Sequence, residues 1–163
     1  MSQASAQTIS IQQCLSDEVN AMSELATLLK KEQSALTSSD IDALNETTTG
    51  KTELLRKIAE LEKIRNTQLN ALGFNGKPEG MRDYFVHYPE DSEMSAQLWN
   101  KLLAISEKAK EDNRTNGLLI NRRITQNQAA LSVLGQGSSA GSLYGPTGQT
   151  TIAPSAMKGS VPR

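Results

Sequence analysis

The stretch from Ser92 to Leu134 constrains the fold more than any other part of the chain, because it contains no proline and only one glycine. Apolar or small residues recur in it at steps of three and four, the period of one face of an α-helix. They are Leu98, Leu102, Ile105, Ala109, Ile120, Ile124, Leu131 and Leu134. At 1.5 Å per residue such a helix spans roughly 60 Å, about twice the diameter of a small domain. It must therefore pack lengthwise against other long helices.

Two further long helices are predicted in the first half of the chain. Leucine or methionine repeats every seven residues within residues 8–37, which is typical of a helix-bundle seam. These residues are Leu15, Met22, Leu29 and Leu36. A second helix is expected over residues 40–72, capped by Ser39 and stopped at Gly73, with a bend or break near Gly50 left open. The turn between the two helices is short, so they should lie antiparallel.

Two segments depart from this helical pattern. Residues 73–91 contain most of the aromatic residues and several glycines and prolines, which favours a structured loop, with one helical turn around Met81 to Phe85 left open. In residues 135–163, glycine, serine, threonine and proline make up more than half of the sequence, which predicts a disordered tail. The expected fold is therefore all-α, an antiparallel, coiled-coil-like bundle of three long helices. The bundle spans residues 1–134, with helices at about 8–37, 40–72 and 92–134.

Composition excludes several classes of partner and compartment. The net charge is -1 and no basic face is evident, so nucleic acid is not an expected partner. No run approaches the roughly 18 apolar residues of a membrane span, so membrane insertion is not expected. The first residues lack the charged and apolar regions of a secretory signal, and Cys14 is the only cysteine. We therefore expect a cytoplasmic protein with a buried structural thiol at Cys14.

The residues of catalytic sites are mostly missing. His87 is the only histidine, so each histidine-dependent catalytic or metal arrangement would need this one residue, and packing against Tyr84 or Tyr88 is the simpler interpretation. Gly50-Lys51-Thr52 resembles the end of a phosphate-binding loop, but no apolar strand precedes it. We predict that the protein is not an enzyme and uses no cofactor or metal.

Polar residues interrupt the apolar face of the long third helix. Asn116 occupies a position where a hydrophobic residue is expected, Asn113 is close by, and Gly117 costs about 1 kcal/mol relative to alanine inside a helix. A buried amide in a helix bundle commonly fixes register or selects a partner. The sequence leaves both explanations open: a register device within the bundle, or a site that binds another chain.

These residues carry a resemblance to a known family. Asn113-x-x-Asn116-Gly117-x-x-Ile120 in a long last helix, followed by Leu143-Tyr144-Gly145-Pro146-Thr147-Gly148-Gln149, resembles the FlgN-type flagellar export chaperones. The resemblance covers essentially the whole chain. It implies a small cytoplasmic helical protein that binds and shields hook-filament junction proteins before flagellar type III secretion, by accepting their C-terminal segments.

The resemblance also implies which residues bind. Client binding would involve the polar and apolar residues of the late third helix, with helix-in-groove recognition. These are Asn113, Asn116, Gly117, Leu118, Ile120, Ile124, Leu131 and Leu134. Leu143 and Tyr144 would dock on the export gate. The alternative is a self-associating coiled-coil adaptor with no client, since an apolar stripe also suits a homodimer.

Overall fold

A computed structural model describes residues 3–90 and 92–138, and the side chains of residues 10–90 and 92–137. Within these ranges the regular structure is entirely helical, which confirms the all-α prediction. The helices are α1 (Gln3–Ser38), α2 (Ile41–Ala71), α3 (Pro78–His87) and α4 (Glu93–Ser138). The three predicted long helices are present, but a count of three is not confirmed, because a fourth and shorter helix, α3, lies in the stretch predicted as a loop. Residues 135–138, which were predicted to begin the tail, continue α4, and the rest of the predicted tail lies outside the described residues.

The turn between α1 and α2 makes these helices antiparallel. Ser39 adopts a left-handed conformation with φ 62°, and the Asp40 N–H donates to the Ala35 carbonyl at 3.0 Å, which is the bond pattern of a Schellman helix end. Asp40, not the predicted Ser39, caps α2, since its carboxylate accepts from the Ala43 N–H at 3.0 Å. Ion pairs between the two helices show the antiparallel arrangement. Glu18 in the first half of α1 pairs with Arg65 near the end of α2, whereas Glu32 near the end of α1 pairs with Lys51 in the first half of α2.

The helix α2 continues through Gly50 without a break. The threonines before Gly50 remain compatible with a helix because their hydroxyls donate to backbone carbonyls one turn back, as from Thr48 to Leu44 at 2.8 Å. At the other end, Gly73 has φ 87° and the Phe74 N–H donates to the Leu69 carbonyl at 3.0 Å. Gly73 therefore ends the helix as predicted, because glycine adopts positive φ without a steric penalty.

The helix α3 forms where glycine and proline suggested a loop. Pro78 is its first residue, where a missing N–H costs nothing because that group has no helical acceptor. Gly80 is needed because a Cβ there would lie 1.8 Å from the Asn75 carbonyl oxygen. The helix packs Met81 and Tyr84, both fully buried, against the hairpin, and Phe74 contacts the Tyr84 ring edge-on at 5.9 Å. The aromatic residues thus cover one end of the core.

The chain divides into two compact units, residues 1–121 and residues 122–163. Unit 1 contains α1, α2, α3 and α4 as far as Asn121. Its main core cluster joins side chains from all four helices: Ile11, Leu15, Val19, Leu69, Met81, Tyr84, Trp99 and Leu102. A smaller cluster contains only Leu25, Leu29 and Ala109 as buried members. The described part of unit 2 is the helical segment that ends at Ser138.

Candidate protein-binding surface

The polar interruptions of α4 contact α1 inside unit 1. Asn116 is fully buried, and its amide donates to the Leu29 carbonyl at 2.9 Å and to Glu32 Oε2 at 2.8 Å. Glu32 also accepts from Lys51 Nζ of α2 at 3.4 Å. One amide and one carboxylate therefore connect three helices. A slip of α4 by one turn, about 5.4 Å, would leave these buried groups without partners.

A second polar contact supports the same alignment of α4 and α1. Asp112, one turn before Asn116, accepts from Lys30 Nζ at 2.8 Å, and the lysine side chain is half exposed while the aspartate is largely buried. Two neighbouring turns of α4 thus contact one turn of α1, residues 29–32. Of the two explanations that the sequence left open, these contacts support the register device for Asn116.

The other predicted site residues of unit 1 are more accessible. Asn113 is exposed, and Leu118 and Ile120 have exposed fractions of 57% and 37%. Gly117 is partly buried, and a Cβ at this position would meet nothing within 4 Å. No neighbour among the described residues therefore requires a glycine here, and a close approach of another chain stays a prediction.

In unit 2, large apolar side chains are exposed on a helix. Ile124, Leu131 and Leu134 are spaced by seven and three residues, so they share one helical face, and their exposed fractions are 49%, 67% and 68%. Val133, which the sequence analysis did not select, is equally exposed at 68% but projects from the opposite side, nine residues after Ile124. The predicted docking residues Leu143 and Tyr144 lie outside the described residues.

Sequence reasoning missed a buried ion pair in unit 1. Arg65 Nε donates to Glu18 Oε1 at 2.7 Å and Nη2 to Oε2 at 3.4 Å, and the guanidinium carbon lies 4.9 Å from the centre of the Trp99 ring. Burial raises the pKa of the Glu18 carboxyl, against the opposing effect of Arg65. One sequence signal existed, because Glu18 follows Leu15 by three residues on the apolar face of α1.

Cys14 adjoins this pair. Its thiol donates to the Leu61 carbonyl at 3.2 Å and, more weakly, to Glu18 at 3.8 Å. Burial and then the negative charge of Glu18 raise the pKa of the thiol to about 11. The residue is buried and free, as predicted. Such a thiol is protonated at neutral pH and is a poor nucleophile.

Neither a metal-binding cluster nor a membrane-spanning helix occurs in the described part of the chain. No group of three or more histidine, cysteine, aspartate or glutamate side chains in residues 10–90 and 92–137 could hold a metal ion. Among the helices described, none combines the length and apolar character that crossing a membrane requires.

Comparisons with known proteins agree on one family. A family model described as FlgN protein matches residues 1–152. Two relatives are named flagella synthesis protein FlgN. The one from Proteus mirabilis is 28% identical over 85% of this chain and 88% of its own length, and the one from Yersinia enterocolitica is 28% identical over 85% and 87%. No solved structure matches the chain.

Proposed function

Because the chain belongs to the FlgN family, we propose that it is a cytoplasmic chaperone that binds and shields hook-filament junction proteins before flagellar type III secretion. The proposal requires a surface that an aggregation-prone helical segment can cover. The observation that carries it is the face of unit 2 formed by Ile124, Leu131 and Leu134, which we call the unit 2 apolar face. These three side chains are half to two-thirds exposed.

The energy available from this face suits a reversible chaperone. Complete burial of an isoleucine or leucine side chain contributes about 1.5–3 kcal/mol, so covering the exposed parts of three such side chains contributes roughly 3–5 kcal/mol. That gain alone, set against the cost of association, gives weak binding. Contacts from Leu118 and Ile120, together with polar contacts from Asn113, would add to it. Asn116 and Gly117 would act indirectly, through the alignment and backbone of α4.

Delivery would be a separate step. Leu143 and Tyr144 would dock on a cytoplasmic component of the export gate, while the client stays on the unit 2 apolar face. Docking through residues outside the client surface allows the two partners to bind at once. The protein would need no catalytic chemistry, because it only holds and releases its client.

The test is light scattering after size-exclusion chromatography, with the purified protein alone and mixed with the C-terminal segment of a hook-filament junction protein. We expect a one-to-one complex, which Ile124→Asp abolishes because it places a charge in the covered face. Val133→Asp is the matched control, since Val133 is at least as exposed but lies on the opposite side of the helix. Equal loss of binding in both variants, or none in either, would contradict the assignment of this face.

The same face would also serve the alternative, a self-associating adaptor without a client, because an exposed apolar helix face suits a dimer. The two functions differ in one measurement. An adaptor dissociates on dilution and does so more readily with Ile124→Asp, and it ignores the junction-protein segment. A chaperone keeps a constant elution volume on dilution and shifts only when the segment is added.

A further inference from the structure

Unit 1 contains an apolar cavity that its own side chains do not fill. Its floor is formed by Leu25 and Leu29 of α1, and its walls include Leu55 of α2 and Ala109 of α4. Leu55 is half exposed although it lines this cavity. The volume is about 220 Å³, larger than the cavities of about 150 Å³ that admit benzene in other proteins. The cavity therefore has room for at least one large apolar side chain.

The cavity continues into a groove between α2 and α4. A neighbouring cleft shares Met22 and Ser106 with the cavity and extends to Trp99 and Glu62. Small side chains on α4 leave this space open, because Ser106 and Ala109 face it where larger residues would reach across. Along α2 the two clefts run from Lys51 to Arg65, which at 1.5 Å per residue is about 21 Å, or four helical turns.

The groove differs in charge between its two ends. Lys51 and Lys110 line the cavity end, and no carboxylate is among the described residues that line it. Lys51 is paired with Glu32, whereas no ion-pair partner of Lys110 lies among the residues that the structure describes. At the opposite end the cleft is lined by the exposed Glu62 and by Glu18 and Arg65, which are buried and offset each other's charge. A helix in this groove would be stabilised with its negative C-terminus near Lys110 and its positive N-terminus near Glu62.

We propose that this groove, which we call the α2–α4 groove, binds one amphipathic helix of a partner protein. The partner helix is about four turns long and inserts a large apolar side chain into the cavity beside Leu55 and Ala109. An acidic side chain in its last turn pairs with Lys110, and Asn113 lies at the same rim. The groove uses unit 1 alone, so this binding does not depend on the unit 2 apolar face.

The test uses two fluorescein-labelled designed helical peptides of about 16 residues, with a leucine face and either two glutamates or two lysines in the last turn. We expect the glutamate peptide to bind the full chain more tightly in an anisotropy titration. Lys110→Glu should weaken it about tenfold, because attraction becomes repulsion, and should favour the lysine peptide instead. Lys108→Glu is the matched control, since it makes the same charge change on α4 and Lys108 does not line the groove.

A second variant tests the cavity itself. Ala109→Leu fills the space, so we expect it to abolish binding of the glutamate peptide without lowering the thermal midpoint. The inference would be overturned by equal effects of Lys110→Glu and Lys108→Glu, or by unchanged affinity in Ala109→Leu. A protein dimer that Lys110→Glu dissociates would also overturn it, because a second copy would then occupy the groove.

The same titration separates this inference from the chaperone function. Ile124→Asp should leave the affinity of the glutamate peptide unchanged, because Ile124 belongs to unit 2. If the junction-protein segment fails to bind while the Lys110-dependent peptide binding remains, the proposed function is wrong and the groove assignment stands. If the junction-protein segment binds and the glutamate peptide does not, the groove assignment is wrong and the proposed function stands.

Discussion

The buried pair of Glu18 and Arg65 should make Glu18→Ala one of the most destabilising single substitutions in unit 1. The two side chains are only 3% and 6% exposed, and two hydrogen bonds of 2.7 and 3.4 Å join them. Hydrogen bonds to charged groups contribute about 1.5–3 kcal/mol each, and removing one partner of a buried pair costs about 3–5 kcal/mol. Alanine would leave the guanidinium buried without an acceptor, so we expect a loss of about 4 kcal/mol.

The measurement is urea denaturation followed by the fluorescence of Trp99. This residue is the only tryptophan and lies directly against Arg65, so it reports on the site itself. With a urea dependence of about 2 kcal/mol per molar, a loss of 4 kcal/mol lowers the midpoint by about 2 M. Glu60→Ala is the matched control, because its pair with Arg56 is largely exposed and should change stability by less than about 1 kcal/mol.

Glu18→Gln separates the hydrogen bond from the charge. The amide oxygen still accepts from Arg65 Nε, and burial already disfavours the ionised carboxyl, as its raised pKa shows. We therefore expect Glu18→Gln to cost about 1 kcal/mol, far less than Glu18→Ala. If the alanine variant is no less stable than Glu60→Ala, or if both Glu18 variants are equally unstable, the reasoning about this pair is refuted.

Three further predictions follow from the local geometry. Ser39→Gly should stabilise the protein by about 0.5–1 kcal/mol in urea denaturation, because Ser39 has φ 62°, and a loss would contradict this. Gly80→Ala should cost about 3 kcal/mol, because its Cβ would lie 1.8 Å from the Asn75 oxygen, and an unchanged melting temperature would show that α3 shifts freely. Cys14 should react with iodoacetamide at pH 8 about 100-fold more slowly in the folded protein than in urea. The reason is that a thiol pKa of about 11 instead of 9.0 lowers the fraction of reactive thiolate. Equal rates in the two conditions would contradict the burial of Cys14.

The sequence predicted the long helices well because their signals are local. The heptad of α1 is reflected in burial, because Leu15, Leu29 and Leu36 are buried and Met22 is partly buried. The sequence indicates at most one turn of α3, because Pro78 and Gly80 are typical of loops, although proline also suits the first helical position. The role of Gly80 depends on a contact with Asn75, which only the folded backbone shows.

Part of the candidate site could be predicted because residue spacing along a helix is also a local signal. Exposed apolar residues and an amide on an apolar helix face, such as Asn116, can be identified from spacing. Its partners could not be identified, because an amide that fixes register and one that binds another chain leave the same sequence pattern. The pair of Glu18 and Arg65 was missed because its members are 47 residues apart, beyond the reach of rules for neighbouring turns.

The position of Asn116 also bears on how α4 is aligned within unit 1. Asn116 bonds Glu32, and α1 continues for only six residues more, to Ser38, which is about 9 Å of helix. The same register brings Trp99, Leu102 and Ala109 of α4 into the core clusters of unit 1. The amide therefore does more than stabilise unit 1. By fixing the register it determines which apolar residues of α4, within unit 1, are buried in the core.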